Sequence, residues 1–113
     1  MASEEPVHRP TKKSEFTIVF ATSQAKKGWQ DLVATRRNNL IDTWHFLTET
    51  PLQETPLSYR LRDTLGIVTR AGSEHARWQR KLSLSDGARI WYFVVGQTVY
   101  LEQVHTTHPN QTK

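Results

Sequence analysis

The sequence predicts a small α+β fold: an N-terminal strand, followed by a two-helix hairpin packed on a mostly antiparallel, four-stranded twisted sheet. Three observations lead to this fold class. Residues 16–20 form an apolar, β-branched and aromatic run, residues 23–50 carry two apolar stripes at helical spacing, and residues 76–105 alternate between apolar and polar side chains. The alternating segment is long enough for three strands, and the first run supplies the fourth.

The length of 113 residues leaves room for one domain. Residues 1–14 carry two prolines and mixed charges without periodicity, so they are predicted to be a disordered tail, and residues 15–113 a single domain. The chain has no cysteine, which excludes a disulfide framework, a thiolate zinc site and a cysteine nucleophile. We expect no cofactor and no metal. Because no segment approaches the ~20 apolar residues of a membrane span, we expect a cytoplasmic protein without membrane contact.

The excess positive charge is local. Residues 60–89 contain seven basic and three acidic residues, a net charge of +4, while the basic and acidic residues of the rest of the chain cancel. A concentrated excess of this kind is typical of a surface that binds a polyanion, although short basic stretches also occur on ordinary solvated surfaces.

The elements follow in order. Residues 16–20 predict a strand, and their near-continuous apolarity indicates an interior position in the sheet. Ser23 is the expected cap of a first helix, with the stripe Ala25, Trp29, Leu32 and Val33. A second helix is expected to begin after Asn38 and Asn39, to end at Pro51, and to carry the stripe Leu40, Ile41, Trp44 and Leu47. Residues 51–74 have no clean period, and residues 66–70 favour either a short strand or the end of a loop before a turn at 71–73.

Two turns determine the faces of the meander. Ser85-Asp86-Gly87 is typical of a three-residue hairpin loop, and Gly96-Gln97 of a two-residue turn. These registers pair Lys81 with Trp91, Trp91 with Glu102, and Phe93 with Tyr100. One face then collects a basic and aromatic set: Arg77, Lys81, Arg89, Trp91, Tyr100 and Glu102. The other face is apolar apart from Arg80 and is expected under the helices: Leu82, Leu84, Ala88, Ile90, Tyr92, Val94, Val99 and Leu101.

A sheet face that mixes cations and rings can hold phosphates and stack bases, so it favours RNA as the ligand. Trp91 and Tyr100 are the expected stacking residues. Coverage of Trp91 and Phe93 by the chain's own C-terminal tail or by a partner is about as plausible. Cleavage of RNA by its own 2′-hydroxyl requires a base, an acid and a cation at the phosphate. Arg89, Lys81 and Arg77 are the candidate cations.

The acid and base candidates lie at the end of the last strand. His105 and His108 carry the side chain that best suits proton transfer near neutral pH. Strict alternation puts His108 on the basic face and His105 on the core side, so His108 is the better geometric candidate, and His105 stays open. Glu102 shares the basic face as a possible base, but an ion pair with Arg89 or Lys81 is the more common role for such a carboxylate.

The order strand, two helices and three-stranded meander resembles the RelE/ParE superfamily of bacterial toxins over residues 15–113. The segment Ala88-Arg89-Ile90-Trp91-Tyr92-Phe93 resembles the central-strand pattern of that family. The segment Thr98-Val99-Tyr100-Leu101-Glu102-Gln103-Val104-His105-Thr106-Thr107-His108 resembles its last strand, after which RNA-cleaving members place His, Tyr or Arg. The chain departs from RelE-type members by having no tyrosine or arginine after this strand and by its longer 51–75 segment.

The resemblance implies a toxin of a type II toxin-antitoxin system that inhibits translation by ribosome-dependent mRNA cleavage. Its implied partners are a cognate antitoxin, the ribosome and mRNA. Arg89 then stabilises the phosphate, Lys81 is a basic residue of the preceding strand together with Arg77 and Arg80, and His108 or His105 is the acid. An alternative is a ParE-like toxin that binds and inhibits DNA gyrase without cutting RNA. A plain RNA-binding module without toxicity is a third possibility.

Overall fold

The computed structural model describes residues 6, 7, 10, 12, 14–85 and 87–107, and these form an α+β fold. The helices are α1 (Ser23–Thr35) and α2 (Arg37–Glu49), with a short 3₁₀ helix at Asp63–Gly66. The strands are β1 (Thr17–Phe20), β2 (Ser58–Arg60), β3 (Ile67–Arg70), β4 (Ser73–Ala76), β5 (Trp78–Lys81), β6 (Arg89–Val95) and β7 (Thr98–His105). None of the helices in the described ranges is long and apolar enough to cross a membrane.

The main sheet has five strands in the order β1-β7-β6-β5-β2, and all pairs are antiparallel except β1 with β7. The α+β class is therefore confirmed, but the strand count of four is wrong. The fifth strand, β2, pairs with β5 at the edge, and its Ser-Tyr-Arg sequence is too short to show alternation. The interior position predicted for residues 16–20 is also wrong. β1 is the other edge strand; Ile18 packs against the core, whereas Phe20 is exposed.

The two helices are separated by a single non-helical residue, Arg36. The side chain that caps α1 belongs to Thr22, one residue before the predicted Ser23, and α2 begins at Arg37, before the predicted asparagine caps. The ring centroids of Trp29 and Trp44 lie 6.3 Å apart although each residue is about two turns from Arg36, so the helices fold back on each other. Half of the stripe predicted for α2 reaches the core, because Leu40 and Leu47 are buried, whereas Ile41 and Trp44 are exposed.

The core lies between the helices and one face of the sheet. Its most completely buried large members are Leu32, Leu47, Ile90, Tyr92 and Leu101, each at most 1% exposed, and Trp78 is 8% exposed. The hydroxyl of Tyr92 donates a hydrogen bond of 2.6 Å to the carbonyl of Pro51, so the segment after α2 is tied to the central strand. Burial raises the pKa of Tyr92, which keeps this donor protonated.

The register between β5 and β6 differs from the prediction. Lys81 pairs with Arg89, two residues away from the predicted partner Trp91, because the connection from Leu82 to Ala88 is longer than a three-residue loop. A shift of two residues preserves the faces, so the division into a helix side and a basic side survives. Leu84, predicted to lie in the core, falls in this connection and is 72% exposed.

The basic face is covered in part by a second layer. β3 and β4 form a hairpin around Ala71 and Gly72, both with positive φ, which confirms the turn predicted at 71–73 and resolves residues 67–70 as a strand. The imidazole of His75 in this hairpin stacks on Phe93 of β6 at 5.2 Å. The cover predicted from the C-terminal tail or a partner is thus supplied over Phe93 by a hairpin within the 51–76 segment.

Candidate functional site

A β-bulge in β7 decides which side chains share the basic face. Phe93 pairs with Tyr100, as the two-residue turn predicts, but Trp91 pairs with Gln103 and leaves Glu102 as an extra residue. The predicted pair of Trp91 with Glu102 is therefore wrong. From this point onward the alternation of β7 is inverted, and His105 pairs with Arg89. The prediction that His105 faces the core is wrong for the same reason.

The sequence contains a signal of this inversion. Strict alternation from Leu101 would place the polar Gln103 in the core and the apolar Val104 on the basic face. In the structure Val104 is 1% exposed and packs in the core, as its chemistry favours. A reversal of polarity within one strand is thus the mark of a bulge.

Three strands now contribute to one row of polar side chains. Lys81 of β5 pairs with Arg89 of β6, and Arg89 pairs with His105 of β7. Paired residues of adjacent antiparallel strands have Cα atoms about 5 Å apart, so the Lys81–Arg89–His105 row spans about 10 Å. Two cations and an imidazole therefore lie side by side at one end of the sheet face.

His105 is held in a specific environment within this row. Its ring lies 5.0 Å from that of Trp91 in an edge-to-face arrangement, and its Nε2 atom is buried without a hydrogen-bond partner among the described residues. Burial lowers the pKa of His105, the positive charge of Arg89 lowers it further, and Glu102 opposes both effects. The lowered pKa favours the neutral imidazole at pH 7.

The strand end that carries His105 is fixed by α1, because β1 ends before this part of β7. The side-chain amide of Gln24 donates to the carbonyl of Val104 at 2.8 Å and accepts from its N–H at 3.0 Å, as a paired strand would. The hydroxyl of Thr22 donates to the carbonyl of Glu102 at 2.8 Å. Gly28 allows the approach, because a Cβ there would lie 2.8 Å from the Cβ of Val104 and would overlap its carbonyl oxygen.

Arg89 is anchored from two sides. Its Nε atom donates to the carbonyl of Gly87 at 3.0 Å, and its guanidinium reaches the amide oxygen of Gln79 at 3.5 Å. The same oxygen accepts from the indole N–H of Trp91 at 2.9 Å, while the amide nitrogen of Gln79 donates to the hydroxyl of Tyr59 at 2.9 Å. Gln79 thus links three strands beside the row. Sequence reasoning assigned no role to Gln79 or Tyr59, because the link depends on the pairing of β2 with β5.

Arg77 and Glu102 form the ion pair of the site. Two guanidinium nitrogens of Arg77 lie 2.9 and 3.0 Å from the carboxylate oxygens of Glu102, and its guanidinium carbon lies 5.1 Å from the centre of the Trp91 ring. The carboxylate predicted to pair with Arg89 or Lys81 therefore pairs with Arg77. Lys81 has its ammonium group 5.7 Å from the ring of Tyr59, so its charge stays available.

The remaining predicted residues are placed as follows. Trp91 is 2% exposed and Arg89 5%, so the Trp91 ring lies inside the two layers and offers no free face for a base. Arg80 lies on the helix side, where its guanidinium covers the ring of Phe46 at 4.4 Å and burial lowers its pKa. Tyr100 is half-buried at the other end of the face from the row. His108 lies outside the described residues.

Among the described residues no group of three His, Asp or Glu side chains could hold a metal ion. Comparisons with protein-family models, with curated proteins and with solved structures found no match to this chain.

Proposed function

We propose that this protein is an endoribonuclease, the toxin component of a type II toxin-antitoxin system that cuts mRNA on the ribosome. The observation that supports the proposal most is the Lys81–Arg89–His105 row, in which a neutral imidazole lies next to two cations. Attack of the 2′-hydroxyl on the adjacent phosphate needs a base and a cation close together. The order of helices and strands, which resembles RelE/ParE toxins, adds to this support.

In the proposed reaction His105 is the general base. The imidazole of His105 takes the proton of the 2′-hydroxyl, the oxygen attacks the adjacent phosphorus, and the bond to the 5′-oxygen of the next nucleotide breaks. Lys81 and Arg89 stabilise the negative charge that develops on the phosphoryl oxygens. His108 is the proposed acid that protonates the leaving oxygen, on the basis of its sequence position alone. Glu102 is an ion-pair partner in this scheme and not a base.

The cellular partners follow from this proposal. The ribosome with its mRNA is the target, a cognate antitoxin neutralises the toxin, and the cytoplasm is where both are found. No cofactor takes part in the proposed reaction.

The test is induced expression followed by mapping of mRNA 5′ ends on ribosomes. The wild-type protein should produce cuts in register with codons, and His105→Ala should reduce them at least about a hundredfold, since a positioned base contributes roughly 10²–10⁴ in rate. His45→Ala is the matched control, because His45 is exposed on α2 and away from the sheet. Full cleavage by His105→Ala would contradict the assignment of the base.

A pair of variants tests the role of the positive charge of Arg89. Arg89→Lys should keep part of the activity, whereas Arg89→Met should lose it, because only the charge distinguishes the two. Arg89 is buried, so thermal unfolding of both variants is the necessary control for the fold. Equal cleavage by the two variants would contradict a role of the Arg89 charge.

The ParE-like alternative is supported by one specific observation. Arg89 and Trp91 bind protein groups and are almost fully buried, as expected if the sheet face is a rigid scaffold and not a substrate surface. In that case expressing cells would show a DNA damage response with intact mRNA, and His105→Ala would remain toxic. The mRNA maps and a damage reporter in the same cultures separate the two functions.

A further inference from the structure

A cavity lies at the end of the sheet face away from the Lys81–Arg89–His105 row. It has a volume of about 320 Å³ and lies between the tip of the β3–β4 hairpin and the β6–β7 turn. Arg70 and Ser73 line it from the hairpin, and Phe93 and Tyr100 from the sheet. The pair Phe93–Tyr100 is four residues along β6 from the pair Arg89–His105, which corresponds to about 13 Å.

Three rings form a ladder along the cavity. The rings of Phe93 and Tyr100 stack at 5.1 Å with an angle of 10° between their planes, and His75 stacks on Phe93 at 5.2 Å with an angle of 16°. Phe93 is 1% exposed, whereas Tyr100 and His75 are half-buried. Tyr100 and His75, the outer rings, are therefore partly accessible from the cavity. Phe93, the middle ring, is buried and supports them.

Arg70 supplies a charge that no acidic side chain among the described residues neutralises. Its guanidinium carbon lies 4.6 Å from the centre of the Tyr100 ring and 5.8 Å from that of Phe93, and the side chain is exposed. None of the described residues brings a carboxylate within ion-pair distance of it. Arg77, which lies over Trp91 in the same way, is neutralised by Glu102. The two arginines are thus alike in geometry and different in available charge.

We propose that Arg70, Tyr100 and Ser73 form a subsite for single-stranded RNA, next to the catalytic row and distinct from it. The guanidinium of Arg70 holds a phosphate, Ser73 donates to a phosphoryl or ribose oxygen, and the edge of Tyr100 contacts the base. A planar cation beside aromatic rings is the chemistry that binds single strands without reading sequence. Because the Phe93–Tyr100 pair beside Arg70 lies about 13 Å along β6 from the Arg89–His105 pair, a phosphate held by Arg70 would lie roughly two nucleotides from the bond that is cut. The subsite rests on the proposed nuclease function.

The test uses the full-length chain with His105→Ala, so that the probe is not cut, and an unstructured 12-nucleotide RNA. Arg70→Gln in this background should weaken binding about tenfold at low salt and should reduce the slope of log K against log salt by about 0.7, the value for one phosphate contact on a single strand. Arg70→Lys should keep the salt slope and lose part of the affinity. Arg62→Gln is the control of equal charge change, since Arg62 is exposed before the 3₁₀ helix, at the far end of the hairpin.

Each result of this test either supports or contradicts the RNA subsite. Equal affinities of Arg70→Gln and Arg62→Gln, or no measurable RNA binding at all, would overturn the subsite. Binding of a duplex DNA of equal length as tightly as the RNA would overturn the ligand class. The result is separable from that of the proposed function: if His105→Ala still cuts mRNA while Arg70→Gln loses binding, the subsite stands and the assigned base does not.

Discussion

At the scale of single residues, His105 combines burial, a neighbouring cation and an unpartnered nitrogen. Each of these can be altered separately. Because Glu102 raises the pKa of His105 and Arg89 lowers it, removal of either charge should move the titration in a known direction. The resulting shifts report on the field at His105 independently of any catalysis.

We predict that the His105 titration, followed by NMR of the imidazole, has its midpoint below the ordinary value of ~6.5. Glu102→Gln should lower the midpoint further, and Arg89→Met should raise it. Glu49→Gln is the control, because Glu49 is exposed at the end of α2 and should leave the midpoint unchanged. A midpoint above that of a free imidazole would contradict the described environment.

The same direction determines the effect of pH on stability. The unfolded chain binds a proton at His105 at a higher pH than the folded chain does, so the free energy of unfolding falls as the pH drops below about 6.5 and levels off below the folded pKa. In a nuclease that uses His105 as base, activity should persist to a lower pH than an unperturbed histidine allows, because the neutral form survives there.

At the scale of elements, the contact of α1 with β7 determines where the Lys81–Arg89–His105 row lies. Gly28 and Gln24 both contact Val104, the residue before His105, so the position of the imidazole depends on the distance between helix and strand. From the sequence alone, a glycine at position 28 predicts only a slightly weakened helix. Its actual role is to remove a Cβ from a close approach.

We predict that Gly28→Ala lowers the free energy of unfolding by up to about 2 kcal/mol. Alanine gains roughly 1 kcal/mol in helix propensity, but its methyl group overlaps backbone atoms of Val104, and overpacking costs about 1–3 kcal/mol. Urea unfolding measures the change. Gln30→Ala, at an exposed position of α1, should stay within about 0.5 kcal/mol of wild type, and a Gly28→Ala variant more stable than wild type would disprove the close approach.

At the scale of the whole molecule, two layers of different stability cover the two faces of the sheet. The helix side contains the main hydrophobic cluster, whereas the other side buries Trp91 and Phe93, and the β3–β4 hairpin contributes Val68 as its one buried apolar side chain. The hairpin can therefore open without disrupting the core. Opening would uncover Phe93, on which His75 of the hairpin stacks.

We predict that amide hydrogen exchange separates these layers. Amides of β6 and β7 should exchange only through global unfolding, and those of β3 and β4 through an opening of lower free energy. The denaturant dependence of exchange in NMR distinguishes the two, since sub-global opening shows a smaller slope. Equal slopes in both layers would mean that the hairpin unfolds only with the core.

The class of fold and the face of most side chains were predictable from the sequence, because helical spacing, alternation and turn chemistry are local properties. The pair of Phe93 with Tyr100 follows directly from Gly96-Gln97. The bulge at Glu102, the longer loop before Ala88 and the cover by the hairpin were not predicted. Each depends on which distant backbone groups find partners, as when Gln24 takes the place of a strand beside Val104.

The order of strands in space differs from their order of synthesis. β1 is the first strand made and β7 the last strand of the described chain, yet β7 lies between β1 and β6 and carries the contacts with α1. While the ribosome is still translating residues 98–105, the sheet lacks an inner strand and the row lacks His105, so the nascent chain has neither a core nor a site. Under the proposed nuclease function, a protein with this topology would become active only after its own translation has passed β7.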